Sequence, residues 1–263
     1  MTTLLRLLLL CLALMVPPQA RAQITDVSQA VRVEVLPGWR RADGVHVAAL
    51  RIGLGPGWKT YWRSAGAAGI SPRMDWRASR GVRSVTPAWP TPRVFRQGPA
   101  LSIGYDRDFV LPLLIVPDGG PVVLRGRLDI GVCADICLPA QLAVDAVLTP
   151  GAGPDPRIVA ALADRPRTLD VAAHCALRPI AGGFALTARI AAPPQGRDEA
   201  VVFEVADPGV WITDAATRRE GGHIDATSQL LAAERRPFGV DRSRLRMTVI
   251  GTRGAVEVFG CSG

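Results

Sequence analysis

The sequence predicts a mainly β protein: a β-sandwich followed by a second, smaller β-sandwich. Three observations carry this. Apolar and polar residues alternate with a period of two along most of the chain. The alternating runs are short and punctuated by Gly and Pro, which number 27 and 22. One Pro/Gly-rich break divides the 263 residues into two parts.

Residues 1–22 read as a secretory signal. Arg6 gives a positive start, Leu7 to Val16 a short apolar run, and Ala20-Arg21-Ala22 a small-residue cleavage site. The run is too short to span a membrane. Cleavage would leave a chain starting near Gln23, in a compartment where disulfides persist.

The first sandwich is expected over residues 23–150. Val31-Arg32-Val33-Glu34-Val35 alternates cleanly. Phe109 to Val116 is more continuously apolar and contains Pro112, which predicts an edge strand or a bulge. Strands are expected over 122–132 and 141–148, with Leu128, Ile130 and Val132 in phase in the first of them. The stretch from Thr149 to Pro156 reads as a linker. Residues 151–263 form the second domain, with one or two helical turns over Ile158 to Ala163. Strands resume at Phe184–Ile190, Val201–Val205 and Leu245–Val249.

Charge does not define the function. The formal charge of +8 falls to +6 once Arg6 and Arg21 leave with the signal. Lys59 is the only lysine, and the arginines are scattered, often beside acids. This is a solvated arginine surface rather than a nucleic-acid footprint, and no nucleic-acid partner is expected. The sequence has no phosphate-cradling loop, no H-E-x-x-H and no Ser/His/Asp arrangement to argue for a nucleotide enzyme or a hydrolase.

The chemistry resides in the cysteines. Cys11 lies in the signal, leaving Cys133, Cys137, Cys175 and Cys261. Spacing favours pairing Cys133 with Cys137, and Cys175 with Cys261. Chain-entropy arithmetic gives the short loop roughly 2 kcal/mol of stabilisation and the long one roughly 4.5 kcal/mol. The long loop suits a structural staple. The short one is a poor staple but can exchange if it is exposed. Three readings of Cys133/Cys137 stay open at this point: a pinned turn, a redox pair, and a Cu(I) or Zn²⁺ site. A metal would want further ligands, and His46, His174 and His223 stand apart. No metal or other cofactor is expected. Trp58, Tyr61 and Trp62 read either as sandwich core or as an aromatic wall beside the cysteines.

Three motifs in order resemble a known family. Gly57-Trp58-Lys59-Thr60-Tyr61-Trp62-Arg63-Ser64-Ala65-Gly66 is similar to the G-W-x-T-Y-W-R-x-x-G segment of the N-terminal domain of the disulfide-interchange protein DsbD and its relative ScsB. Ile103 to Pro112 resembles the Y-x-x-x-x-x-L-P strand of that family, and Cys133-Ala134-Asp135-Ile136-Cys137-Leu138-Pro139 resembles its redox turn. The likeness covers about residues 30–150. Three residues between the cysteines, rather than five, match the ScsB-like branch.

The resemblance implies an immunoglobulin-like sandwich in the periplasm. It implies that Cys133 and Cys137 pass reducing equivalents to thioredoxin-fold partners, in disulfide reduction, cytochrome c biogenesis or copper tolerance. The chain would then be a component of a protein-disulfide reductase, with Cys137 as the attacking thiol. A shielding cap is also implied, with Phe95 as its aromatic residue, and Tyr105, Asp106 and Asp135 as neighbours of the site. The sequence ends at Gly263 without the family's membrane conduit, so a separate membrane electron-conducting protein is expected as donor. Two alternatives stand beside this: a docking module that exchanges no electrons, and a Cu(I)-binding protein.

Overall fold

The structure, a computed structural model, describes residues 27–98, 100–149, 153–232 and 236–263. The expected signal over 1–22 lies outside the described residues, as do residues 150–152 of the expected linker. After a single helical turn, α1 (Val27–Ala30), the first half of the chain forms ten strands. They are β1 (Val31–Arg40), β2 (His46–Leu54), β3 (Lys59–Tyr61), β4 (Arg73–Asp75), β5 (Val82–Pro87), β6 (Arg93–Gln97), β7 (Ala100–Tyr105), β8 (Phe109–Pro117), β9 (Val122–Cys133) and β10 (Cys137–Leu148). One sheet runs β1-β2-β8-β5. The other runs β10-β9-β3-β7-β6, with β4 also paired to β9. Leu50, Ile52, Leu111, Leu113 and Ile115 of the first sheet meet Leu124, Leu128, Ile130 and Val132 of the second.

Of the two expectations for the run holding Pro112, the edge strand fails, whereas a register shift is present in its pairing with β5, between Val82 and Ser84. Pro112 lies in β8, between β2 and β5, not on an edge. Its carbonyl accepts from Ala88 N, so its missing N–H would also face the β5 side. There β5 ends, with Pro87 opposite Leu113, so the missing N–H falls at the margin of the ladder. Among the other strand prolines, Pro139 lies on an edge strand, β10.

Helix α2 (Pro156–Ala163) starts as its sequence dictates. Asp155 caps it by accepting from Arg157 N, and Pro156 needs no N–H at the first position. Its buried Ile158 packs with Leu36, Val47 and Ala49, so the helix completes the first sandwich although it follows the linker.

The second sandwich contains β11 (Arg167–Thr168), β12 (Ala173–Ile180), β13 (Gly183–Ile190), β14 (Ala200–Glu204), β15 (Val210–Ile212), β16 (Ala216–Glu220), β17 (His223–Ala232), β18 (Arg246–Gly251) and β19 (Gly254–Phe259). Its sheets are β11-β19-β18-β14 and β12-β13-β17-β15, with β16 on β17. Phe203, Met247, Val249, Val256 and Val258 pack against Leu186, Ile190, Ile224 and Leu230. A disulfide joins Cys175 on β12 to Cys261 just after β19.

β14 reads Ala-Val-Val-Phe because both of its faces are buried. Val201 and Phe203 enter the second core. Ala200 and Val202 turn outward with Ile250 and Ala255, onto Trp62, Leu101, Ile103 and Tyr105 of the first sandwich. The two sandwiches therefore share a packed interface next to β3.

Candidate functional site: the β9–β10 hairpin

β9 and β10 pair in unbroken register from Val122↔Leu148 to Cys133↔Cys137. Strand β10 starts at Cys137, four residues earlier than the alternation suggested. Only Ala134, Asp135 and Ile136 remain as loop, closed by a bond from Ala134 N to Ile136 O of 2.9 Å. Opposed strand residues share a face, so the two sulfurs are brought together by the ladder itself. They form a disulfide with a Cα–Cα distance of 4.1 Å.

The two cysteines differ in environment. Cys133 is 1% exposed, whereas Cys137 lies on the surface. Cys133 is packed with Tyr61 and Ala65. The Tyr61 hydroxyl donates to Cys133 Sγ at 2.8 Å and lies 3.9 Å from Cys137 Sγ. Burial raises the Tyr61 pKa, so the phenol stays protonated and remains a donor at neutral and mildly alkaline pH.

Strand pairing explains why Tyr61 arrives there. Lys59 is the register partner of Cys133, and Tyr61, two residues on, projects from the same face. Lys59 thus places the chain's single lysine beside the cysteines, and its Nζ lies 5.5 Å from the centre of the Phe95 ring. Phe95, on β6, is half-buried, with the Arg93 guanidinium 6.0 Å from its ring centre. Asp135 is exposed in the hairpin loop. Ile136 beside it is 44% exposed, and Ile70, which overlies Gly131, is 47% exposed.

Tyr105 and Asp106 sit elsewhere than expected. Tyr105 pairs with Thr60, one residue out of phase with Tyr61, so it points to the opposite face of the sheet. Its hydroxyl donates to the Pro90 carbonyl at 2.9 Å and its ring stacks on Phe109. Burial pushes its phenol well above the usual range. Asp106 pairs with Arg93 at 2.6 Å, so it braces the strand carrying Phe95 rather than facing the sulfurs. Neither Arg125 nor Arg127 supplies a nearby charge: they pair with Asp145 and Asp129.

Among the described residues, no three His, Cys, Asp or Glu side chains gather to hold a metal. His46 is buried against the Pro37 carbonyl and His174 bonds Ser262. What the hairpin offers is a disulfide with one accessible sulfur and one sulfur hydrogen-bonded in the interior. Sequence reasoning left Tyr61 divided between core and wall, and it missed Lys59. The signal that could have found Lys59 is its uniqueness, two residues before Tyr61.

Residues 21–149 match the family described as thiol:disulfide interchange protein DsbD, N-terminal. No curated protein matches the chain. Among solved structures, it is similar to the N-terminal periplasmic domain of ScsB from Proteus mirabilis. The TM-score is 0.65 at 21% identity, over 89% of this chain and 94% of that one. At that identity the likeness is one of fold, and it extends across both sandwiches. Among the described residues, no helix is long and apolar enough to cross a membrane. Residues 21–149, which carry the Cys133–Cys137 hairpin, are thus a domain of the DsbD N-terminal family of thiol:disulfide interchange proteins.

Proposed function

We propose that the protein carries reducing equivalents in the periplasm, passing them from Cys133/Cys137 to disulfides of thioredoxin-fold proteins. The observation that carries this reading is the asymmetry of the pair: Cys137 exposed, Cys133 buried against the Tyr61 hydroxyl. In the reduced protein the Cys137 thiolate attacks one sulfur of the partner's disulfide. A mixed disulfide forms and the partner's other sulfur leaves as a thiolate. Cys133 then attacks Cys137 Sγ, releasing the partner as a dithiol and closing Cys133–Cys137. Two electrons move to the partner, and a dithiol donor must restore the pair.

Each neighbour has a chemical role in this scheme. The Tyr61 hydroxyl stabilises the Cys133 thiolate as it forms, because a hydrogen bond to an anion is stronger than one to a disulfide sulfur. Lys59 adds a positive charge on the same face. Phe95 acts as the shield, tethered over Lys59 and steadied by the Arg93–Asp106 pair. Ile70 and Ile136 form the apolar rim that a partner covers.

A Cys133→Ser variant tests the scheme, because it keeps the attacking thiol and removes the one that resolves. Mixed with an oxidised periplasmic thioredoxin-fold protein, it should accumulate a covalent complex cleaved by dithiothreitol. Cys137→Ser should not. No complex with either variant would exclude exchange through this pair.

A further inference from the structure

The segment that walls the cysteine site is gripped by the second sandwich at two points. The first is Arg63, two residues beyond Tyr61. Its Nε and Nη2 each donate to the Glu204 carboxylate at 2.9 Å, Nη2 also bonds Glu257, and the guanidinium lies 3.8 Å from the Trp62 ring centre. These charges are mostly buried: the Arg63, Glu204 and Glu257 side chains are 16%, 22% and 12% exposed. Burial alone would disfavour the Arg63 charge, and the two carboxylates outweigh it. The second grip is at Ala67, whose N–H donates to Asp214 Oδ1 at 2.7 Å.

Between these grips lies Ala65, buried with Tyr61 and Cys133. Its carbonyl accepts from Ile103 N at 2.8 Å. The loop has no slack beyond it: a Cβ on Gly69 would come within 2.5 Å of the Ala65 carbonyl and 2.8 Å of the Tyr61 ring. A displacement at Arg63 or Ala67 therefore moves the wall, and the hydroxyl that meets Cys133 belongs to that wall.

We propose that the second sandwich positions the cysteine site: its Glu204, Glu257 and Asp214 hold residues 61–69 so that the Tyr61 hydroxyl stays aimed at Cys133. Arg63 and Asp214 are positioning residues, since they act through Tyr61. The inference rests on the exchange reading for its purpose, but its geometry can be tested separately.

The test uses the full mature chain. A Glu204→Gln/Glu257→Gln variant releases the first grip, and Asp214→Ala releases the second from an exposed site should the former not fold. Two quantities are read: the equilibrium of the pair with glutathione, and the pH titration of the Cys133 Cβ carbon by NMR after phosphine reduction. Releasing a grip should shift the equilibrium three- to tenfold toward the disulfide, tenfold being about 30 mV for two electrons. The Cys133 titration should move up. Both shifts should vanish in a Tyr61→Phe background, where no hydroxyl remains to aim. Shifts of the same size in that background, or folded variants with unchanged titration, would overturn the proposal. If the wild-type pair never equilibrates with glutathione, the exchange reading fails, while the NMR titration still decides positioning.

Discussion

Replacing Tyr61 with Phe removes one oxygen from the site and leaves the ring in its packing against Ala65 and Cys133. The lost interaction is the 2.8 Å hydrogen bond to Cys133 Sγ. In the oxidised protein the acceptor is a disulfide sulfur, a weak one, so little is lost there. In the reduced protein the acceptor is a thiolate, and a hydrogen bond to a charged group contributes about 1.5–3 kcal/mol. At about 1.4 kcal/mol per pKa unit, the Cys133 thiol should titrate one to two units higher in Tyr61→Phe. The sign follows from which form is stabilised: the phenol donates to the anion, so its removal favours the protonated thiol. Because the loss falls on the reduced state, the pair should also become harder to reduce above the wild-type thiol pKa. The assay is site-specific titration of Cys133 in the reduced protein, with thermal melts to verify the fold. An unchanged titration in a folded variant would refute the role given to Tyr61.

The remaining predictions concern charge, packing and the second sandwich. Lys59→Gln should raise the thiol pKa in the same sense as Tyr61→Phe, checked by the pH profile of Cys137 alkylation; an unchanged profile would remove Lys59 from the site. Gly104→Ala should destabilise the protein by about 3 kcal/mol or more in denaturant melts, because a Cβ there would lie 1.9 Å from the Thr60 carbonyl and pry β7 from β3. Cys175→Ala/Cys261→Ala should cost up to about 4.5 kcal/mol by loop entropy, yet leave exchange at Cys133/Cys137 intact. Glu199 adds a pH dependence. Burial raises its pKa, but the Arg219 side chain and the Gln195 amide outweigh this and hold it low. A depressed carboxylate contributes stability above its unfolded pKa and loses it as pH falls through the folded one. Melts should therefore weaken as pH drops below the ordinary glutamate range, and less so in Arg219→Ala.

How much of this was legible in the sequence depends on the length over which each signal acts. Long strands showed themselves by their alternation: Leu128, Ile130 and Val132 face the first core as their phase required. The cysteine spacing and the three ordered motifs located the hairpin. Short elements hid their parity. Lys59–Tyr61 spans three residues, too few to reveal that Tyr61 and not Tyr105 shares a face with Cys133. Pro112 sits inside a sheet because its missing N–H faces the end of β5, and where β5 stops is not written in the β8 run itself. Contacts between the halves left no local trace at all: Arg63 and Glu204 are 141 residues apart and meet only after both sandwiches have formed.

The central claim is that Cys133–Cys137 is an exchanging disulfide rather than a pinned turn. Its reduction potential in the native protein, measured against a glutathione buffer, tests this most directly. The account predicts that the pair equilibrates at a potential above about −300 mV while Cys175–Cys261 stays closed. A Cys133–Cys137 bond that remains oxidised in the native fold at that poise would contradict it.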